Sequence, residues 1–273
     1  MEFQIIWFIL WGTLWAVYFM VDGFDFGVGI LHSFIGKTEG EKKTIIRTIG
    51  PVWDGNEVWL ITAGGATFAA FPGTYALMFS YLYSALLFGV AFGNIFQGIP
   101  MDATGYHGTL FKLLNSYGLL TGVLFLLLFI VHGALWLAVK TNGDLSRRAS
   151  SVAGKSWYAL LVVAVLFLIY TAFATNLYAN YLANPVWFIV PVTAVLALLG
   201  IKLFALKGSY IGSFYSSCLT VLTVTFTGVI GLYPNLIPSS LDRNYSLTIF
   251  NSSSSPYTLK IMTVVALIFV PIV

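Results

Sequence analysis

Runs of about twenty apolar residues follow one another along this chain with only short polar connections between them, and no other feature constrains the fold as tightly. About 20 residues of helix are needed to cross the hydrocarbon core of a bilayer. The runs read, in order, as Ile5–Val21 continuing into DGFDFGVGILHSFIG, then Val52–Phe71, Thr74–Leu87, Phe88–Ile99, Gly118–Val139, Trp157–Thr175, Val186–Leu206, Ile211–Leu232 and Thr258–Val273. Only 8% of the residues are charged and 59% are hydrophobic, where a soluble protein carries roughly 25% charge. The fold class is therefore all-α, a polytopic transmembrane helical bundle, with residues 1–273 forming a single membrane domain.

Lysine and arginine orient the spans. Lys37, Lys42, Lys43 and Arg47 fall between the first two, Lys140, Arg147, Arg148 and Lys155 between Val139 and Trp157, and Lys202 and Lys207 before Ile211. The other connections are poor in bases. The positive-inside rule puts these three groups in the cytoplasm and the N-terminus outside. Strict alternation then requires Thr74–Leu87 and Phe88–Ile99 to be separate crossings, yet no polar connection lies between Leu87 and Phe88. The expectation is a missing segment between 87 and 88, about nine spans in the complete protein, and an early C-terminal end at Val273. The Ser- and Asn-rich stretch from Pro234 to Pro256 reads as an exposed outer loop.

Several function classes are excluded. The net charge of +3 contains no basic stripe, so nucleic acid is not an expected partner. Cys218 stands alone, which removes an intrachain disulfide, a Cys-based zinc site and a Cys-ligated cluster. The N-terminus lacks a cationic n-region and a cleavage site, so its apolar run reads as a retained span. The glycines of GFDFGVG lack a phosphate-binding lysine and read as packing residues.

What remains is a set of acids at lipid depth. GPVWDGNEVWLITAGGATFAAFP, from Gly50 to Pro72, carries Asp54, Asn56 and Glu57 between Trp53 and Trp59. Asp54 and Glu57 are three residues apart and share a helix face. Asp22 and Asp25 have the same spacing and approach the same side of the membrane. A carboxylate in hydrocarbon costs about 2.5–3.5 kcal/mol even on insertion scales, and it persists where it meets a partner, a proton or water. Four carboxyls thus converge on one leaflet, as a proton relay, as a hydrogen-bonding site for a quinone head, or as plain helix caps. Asp54 leads, with Trp53 and Trp59 expected to shield it. Gly64, Gly65 and the neighbouring alanines should let another helix approach closely. His132 lies within a span, His32 near the same leaflet and His107 in an outer loop; a pore-lining or hydrogen-bonded histidine fits better than a bis-histidine haem. Asn94 and Gln97 read as interhelical glue. The same acids also admit a different class, a proton or cation antiporter, although no inverted repeat or pair of interrupted helices is evident.

VDGFDFGVG, WDGNEVWLITAGGATFAAFP and GVAFGNIFQGIP, in that order, together resemble subunit II of the cytochrome bd-type quinol oxidases over nearly the whole chain. The resemblance implies a bacterial or archaeal plasma-membrane complex that oxidises ubiquinol or menaquinol and reduces O2 to water with cytoplasmic protons. It implies a partner subunit I carrying two haems b and one haem d, with no haem or metal ligated by this chain, and leaves room for a bound quinone and a small single-span accessory subunit. Asp25 and Asp54 match the family's intramembrane acids, and Trp53 and Trp59 the flanking tryptophans. A proton route through Asp54, Asp25 and Glu57 follows, with Trp53, Trp59, Asp22 and His132 lining an interface or cavity. Glu57 stands where some members carry Gln, and His132 where some carry another polar residue.

Overall fold

The first apolar run folds as one long rod with a single interruption. In the computed structural model, which describes residues 2–78 and 88–269, α1 (Glu2–Val21) and α2 (Gly23–Ile35) follow each other through one residue, Asp22. At 1.5 Å per residue the interruption lies about 30 Å from Glu2, roughly a hydrocarbon thickness along the rod. Trp7, Phe8, Trp11, Trp15, Tyr18 and Phe19 are buried along α1, so the rod is the spine against which other helices pack.

α3 (Glu39–Ile49) lies across the end of the rod. Thr38 accepts the Glu41 N–H, and the Glu41 side chain returns to the Thr38 N–H, a reciprocal cap that starts the helix. α4 (Trp53–Ala70) runs back along α1 with Ala63, Gly64, Thr67 and Ala70 buried. The Trp11 indole donates to Thr67 Oγ1 at 3.0 Å. Gly65, expected on this small-residue face, points away instead: a Cβ there would meet nothing within 4 Å. One residue of helix turns the direction by about 100°, and Gly64 takes the inner place.

α5 (Pro72–Leu77) and α6 (Phe88–Gln97) follow. Thr74 bonds to Ser252 at 3.0 Å, and the Ile99 N–H donates to the Pro238 carbonyl at 3.0 Å. The start of α5 and the end of α6 therefore sit at the same face of the bundle. The connection between them, where a missing segment is expected after Leu87, and the expected early end at Val273 lie outside the described residues.

A small hairpin, β1 (Met101–Asp102) and β2 (Gly105–Tyr106), and the short α7 (Leu110–Leu113) lead into α8 (Ser116–Lys140) and α9 (Gly143–Ala174). This corrects the expected connection between Val139 and Trp157. Its basic stretch is helix, because Leu145, Ala149, Ala153 and Trp157 are buried at four-residue spacing while the charges turn outward. Only Thr141 and Asn142 join the two helices. Arg148 pairs with Glu41, which ties the α3 segment to the start of α9 and brings two of the basic groups to one end.

α10 (Ala179–Ala183) and a 3-10 turn at Pro185–Phe188 precede α11 (Ile189–Leu206) and α12 (Tyr210–Leu232). The α11–α12 turn has a definite cause. Gly208 takes φ +70°, its N–H reaches the Ala205 carbonyl at 3.0 Å, and the Ser209 N–H reaches Phe204 at 2.9 Å. That is the paired-bond helix stop that glycine makes accessible.

β3 (Asn235–Ile237), β4 (Leu247–Thr248) and α13 (Pro256–Phe269) complete the described chain. The stretch from Pro234 to Pro256 is a folded cap rather than the exposed loop expected. Leu236, Ile237 and Ile249 are fully buried. The serines that made it look loop-like bond inward: Ser239 donates to the Met101 carbonyl at 2.6 Å and Ser254 to Ala69 at 2.5 Å.

The architecture is an all-α bundle. Among the described residues, five helical stretches, Glu2–Ile35, Ser116–Lys140, Gly143–Ala174, Pro185–Leu206 and Tyr210–Leu232, are long and apolar enough to cross a membrane. α4 is not among them, since Asp54, Asn56 and Glu57 crowd its first two turns.

Candidate functional site

The site is built around the interruption at Asp22, and the glycines of α2 and α8 make it possible. At Gly27 and Gly133 the two helices touch backbone to backbone: a Cβ on Gly27 would stand 1.9 Å from the Phe129 carbonyl oxygen, and one on Gly133 would stand 2.5 Å from Gly27. Bare backbone at both positions lets the helices approach this closely. His132, next to Gly133, is completely buried and reaches back across the contact.

Its Nε2 lies 2.9 Å from the Met20 carbonyl and its Nδ1 lies 2.6 Å from Ser217 Oγ. A carbonyl only accepts, so Nε2 carries the proton. Phe214 stacks on the imidazole at 4.9 Å with the rings 1° from parallel. Two carbonyls of the last turn of α1 are therefore addressed from other helices. Met20 takes His132, and Val21 takes Asn56 Nδ2 at 2.9 Å.

Asn56 has a second task. The same amide nitrogen lies 2.7 Å from Asp25 Oδ2, so one side chain on α4 joins the end of α1 to the first turn of α2. The other oxygen, Asp25 Oδ1, is buried and has no hydrogen-bond partner among the described residues. Asp22 is buried, with the Tyr18 hydroxyl against its carboxyl. Glu57 lies close enough to Asp22 and Asp25 to act on both electrostatically. The structure thus gathers Asp22, Asp25 and Glu57, with Asn56 between them.

Asp54 is placed differently from the expectation. It and Glu57 are exposed on this chain, and Trp53, expected to shield Asp54, is itself 46% exposed. Trp59 is half-buried and packs on the core. The cause is helical phase. Asn56, Ala63, Thr67 and Ala70 point inward, which turns Trp53, Asp54, Glu57, Val58, Ile61, Gly65 and Phe68 outward. Nor do the acids cap α4: its N-cap, Val52, makes no side-chain cap bond.

The remaining candidates stand apart. His107 directly follows the β1–β2 hairpin with Nε2 2.8 Å from Asp102 Oδ1; bonds from Thr104 and His107 hold the Asp102 carboxyl down at about 2. Asn94 is buried and donates to the Leu113 carbonyl at 2.7 Å while accepting from Asn115 at 2.8 Å, fastening α6 to the entry of α8. Away from the acids, an apolar cavity of about 140 Å³ lies among α6, α8, α9, α11 and α12, with Phe96, Phe125, Phe167, Leu198 and Gly228 in its wall. Tyr18, Ser217 and Gly133 are the members that sequence reasoning missed, while Gly27 is one of the packing glycines of GFDFGVG. The one signal for them was a glycine, Gly23, directly after an aspartate inside an apolar run.

Comparison with known proteins decides the family. The model of cytochrome bd terminal oxidase subunit II matches residues 3–88 and 83–273. The chain belongs to that family. It is 31% identical over 344 residues to cytochrome bd-I ubiquinol oxidase subunit 2 of Escherichia coli (strain K12), covering 99% of this chain and 91% of the relative. It is 32% identical over 317 residues to cytochrome bd ubiquinol oxidase subunit 2 of Bacillus subtilis (strain 168), covering 98% and 91%. The solved bd oxidase from Geobacillus thermodenitrificans shares the fold, with a TM-score of 0.70 over 99% of this chain and 96% of that one at 18% identity. As a bd subunit II, the chain is a multi-pass membrane protein. The family implies haem in the complex, and among the described residues the one histidine buried at the site is His132. His132 does not fit iron: both ring nitrogens are bonded, one to Ser217 and one to the Met20 carbonyl.

Proposed function

We propose that this chain is the subunit of a quinol-oxidising, O2-reducing complex that completes a proton route beside a haem-bearing partner subunit I. The single observation that carries the reading is Asp25, held through one oxygen by Asn56 while its other oxygen is buried with no partner among the described residues. A carboxyl left open on one side, at lipid depth and beside two further acids, is where a transferable proton can reside. The outward face of α4, from Trp53 and Asp54 through Glu57, Val58 and Ile61 to Phe68, supplies the second support. Two acids facing hydrocarbon would be costly, and a docked subunit I removes that cost while receiving the protons.

Within this reading Glu57 and Asp54 sit at the seam with the partner, Asp22 and Asp25 lie behind them, and Asn56 holds Asp25 in register. Protons come from the end of the bundle that carries the bases. Haem chemistry belongs to the partner, and no step runs through His132. The apolar cavity behind Phe96 and Phe125 suits a gas or part of an isoprenoid chain, which makes it the place on this chain for O2 or a quinone tail.

The test uses the assembled complex with its visible haem spectrum verified. Asp25→Asn and Asp54→Asn should each depress quinol oxidase turnover and the coupled uptake of protons while the haem bands stay. Parental turnover and proton uptake in both variants would remove the acids from the route. A colourless preparation of the natural complex would instead favour an antiporter.

A further inference from the structure

We propose that His132 and Asn56 form a two-point latch on the interrupted α1–α2 rod, and that both are positioning residues for the Asp22–Asp25–Glu57 group. The proposal deepens the proton-route reading and rests on it for its consequence, although the latch itself is a matter of geometry.

Adjacent carbonyls at the end of α1 are each met by a donor from a different helix. His132 of α8 donates to Met20 at 2.9 Å and Asn56 of α4 donates to Val21 at 2.9 Å. The rod resumes in α2 two residues after Val21, and its first turn carries Asp25, which the same Asn56 holds at 2.7 Å. The latch is braced from behind. Ser217 on α12 fixes His132 Nδ1 at 2.6 Å, Phe214 stacks on the ring, and the Gly27–Gly133 contact keeps α8 within reach. Among the described residues, the groups that act on these acids are Tyr18 on α1, Asp22 in the break, Asp25 on α2, and Asn56 and Glu57 on α4. His132 itself faces Ser217 and the Met20 carbonyl. It therefore acts on the acids through the backbone that carries them.

Both donors are replaceable in principle. Glutamine at position 132 keeps an N–H that can reach Met20; leucine keeps the bulk and removes the donor. A carboxyl displaced by about an ångström loses roughly a hundredfold in rate when geometry governs transfer.

The experiment compares His132→Leu, His132→Gln, Asn56→Leu and Asp25→Asn in the assembled complex with intact haem bands. Two readouts are taken: the pH profile of quinol oxidase turnover, and the infrared carboxyl bands that vanish in Asp25→Asn. His132→Leu and Asn56→Leu should each displace the Asp25 bands, shift the pH profile and cut turnover about tenfold to a hundredfold; His132→Gln should recover most of all three. Asp25 bands and a pH profile unchanged in His132→Leu would overturn the latch. So would His132→Gln as damaged as His132→Leu, which would mark a merely space-filling role. If His132→Leu does not assemble, the comparison of Asn56→Leu and His132→Gln with the parent decides on the same readouts. If Asp25→Asn turns over normally, the proton route falls, while the bands in His132→Leu still decide the latch.

Discussion

Gly27→Ala places one methyl group where the backbones of α2 and α8 already touch. The new Cβ would stand 1.9 Å from the Phe129 carbonyl oxygen and 2.9 Å from the Gly133 Cα. Carbon and carbonyl oxygen ordinarily approach no closer than about 3.3 Å, so the helices must part by about 1.4 Å. The His132–Met20 bond, 2.9 Å long, would then open to about 4 Å, beyond hydrogen-bonding range. Alanine gains up to about 1 kcal/mol in helix propensity over glycine, whereas overpacking of this kind costs typically 1–3 kcal/mol and sometimes more. Because the obstructing atom is backbone and cannot swing aside, the steric cost should win, with a net loss of about 2 kcal/mol. The assay is the temperature at which the purified complex loses half its quinol oxidase activity, with haem absorbance followed in parallel. Gly154→Ala, where a Cβ meets nothing within 4 Å, is the control and should be neutral or stabilising. Gly27→Ala as stable and as active as the control would refute the close-contact argument and, with it, the bracing of the latch.

Three further outcomes follow from other parts of the molecule. Gly65→Trp adds a ring on the outward face of α4, where this chain offers no obstruction; it should leave the chain folded but reduce co-purification of haem, and normal haem content would place the partner elsewhere. Glu41 accepts the Lys37 and Thr38 N–H groups and the Arg148 guanidinium, which hold its carboxyl below the ordinary 4.5. The folded-state pKa is depressed, so this tie between α3 and α9 should be whole above that ordinary value and weaken as pH falls below it. Hydrogen exchange across 37–46 should therefore rise on acidification in the parent and already be high at neutral pH in Glu41→Gln. Asn94→Leu removes the donor to the Leu113 carbonyl and one of the two acceptors of the Asn115 amide, and should cost about 1–3 kcal/mol, read as earlier thermal loss of activity than in Gln97→Ala.

Much of the bundle was legible because lipid permits few backbones. The ends of α8, α11 and α12 fall within a few residues of the apolar runs. The start of α9 was not legible, since Arg147, Arg148 and Lys155 mask a buried stripe of Leu145, Ala149 and Ala153, in which two small alanines add little hydropathy. The cap from Pro234 to Pro256 was misread for a related reason: serine looks solvent-loving until its hydroxyl has a backbone partner inside the fold. At the site, the grouping of Asp22, Asp25 and Glu57 could be anticipated from spacing. The outward turn of Asp54 could not, because phase on α4 is set by Thr67 meeting Trp11, a contact 56 residues apart. The role of Asn56 was hidden for the same reason, as its partners lie on α1 and α2.

A density map of the whole complex, read at the outward face of α4, tests the central claim most directly. The account predicts that Trp53, Asp54, Glu57 and Ile61 are covered by the haem-bearing partner, with a polar path leading from Asp25 across that seam. Lipid density against those four side chains, with the partner docked on another face of the bundle, would contradict it.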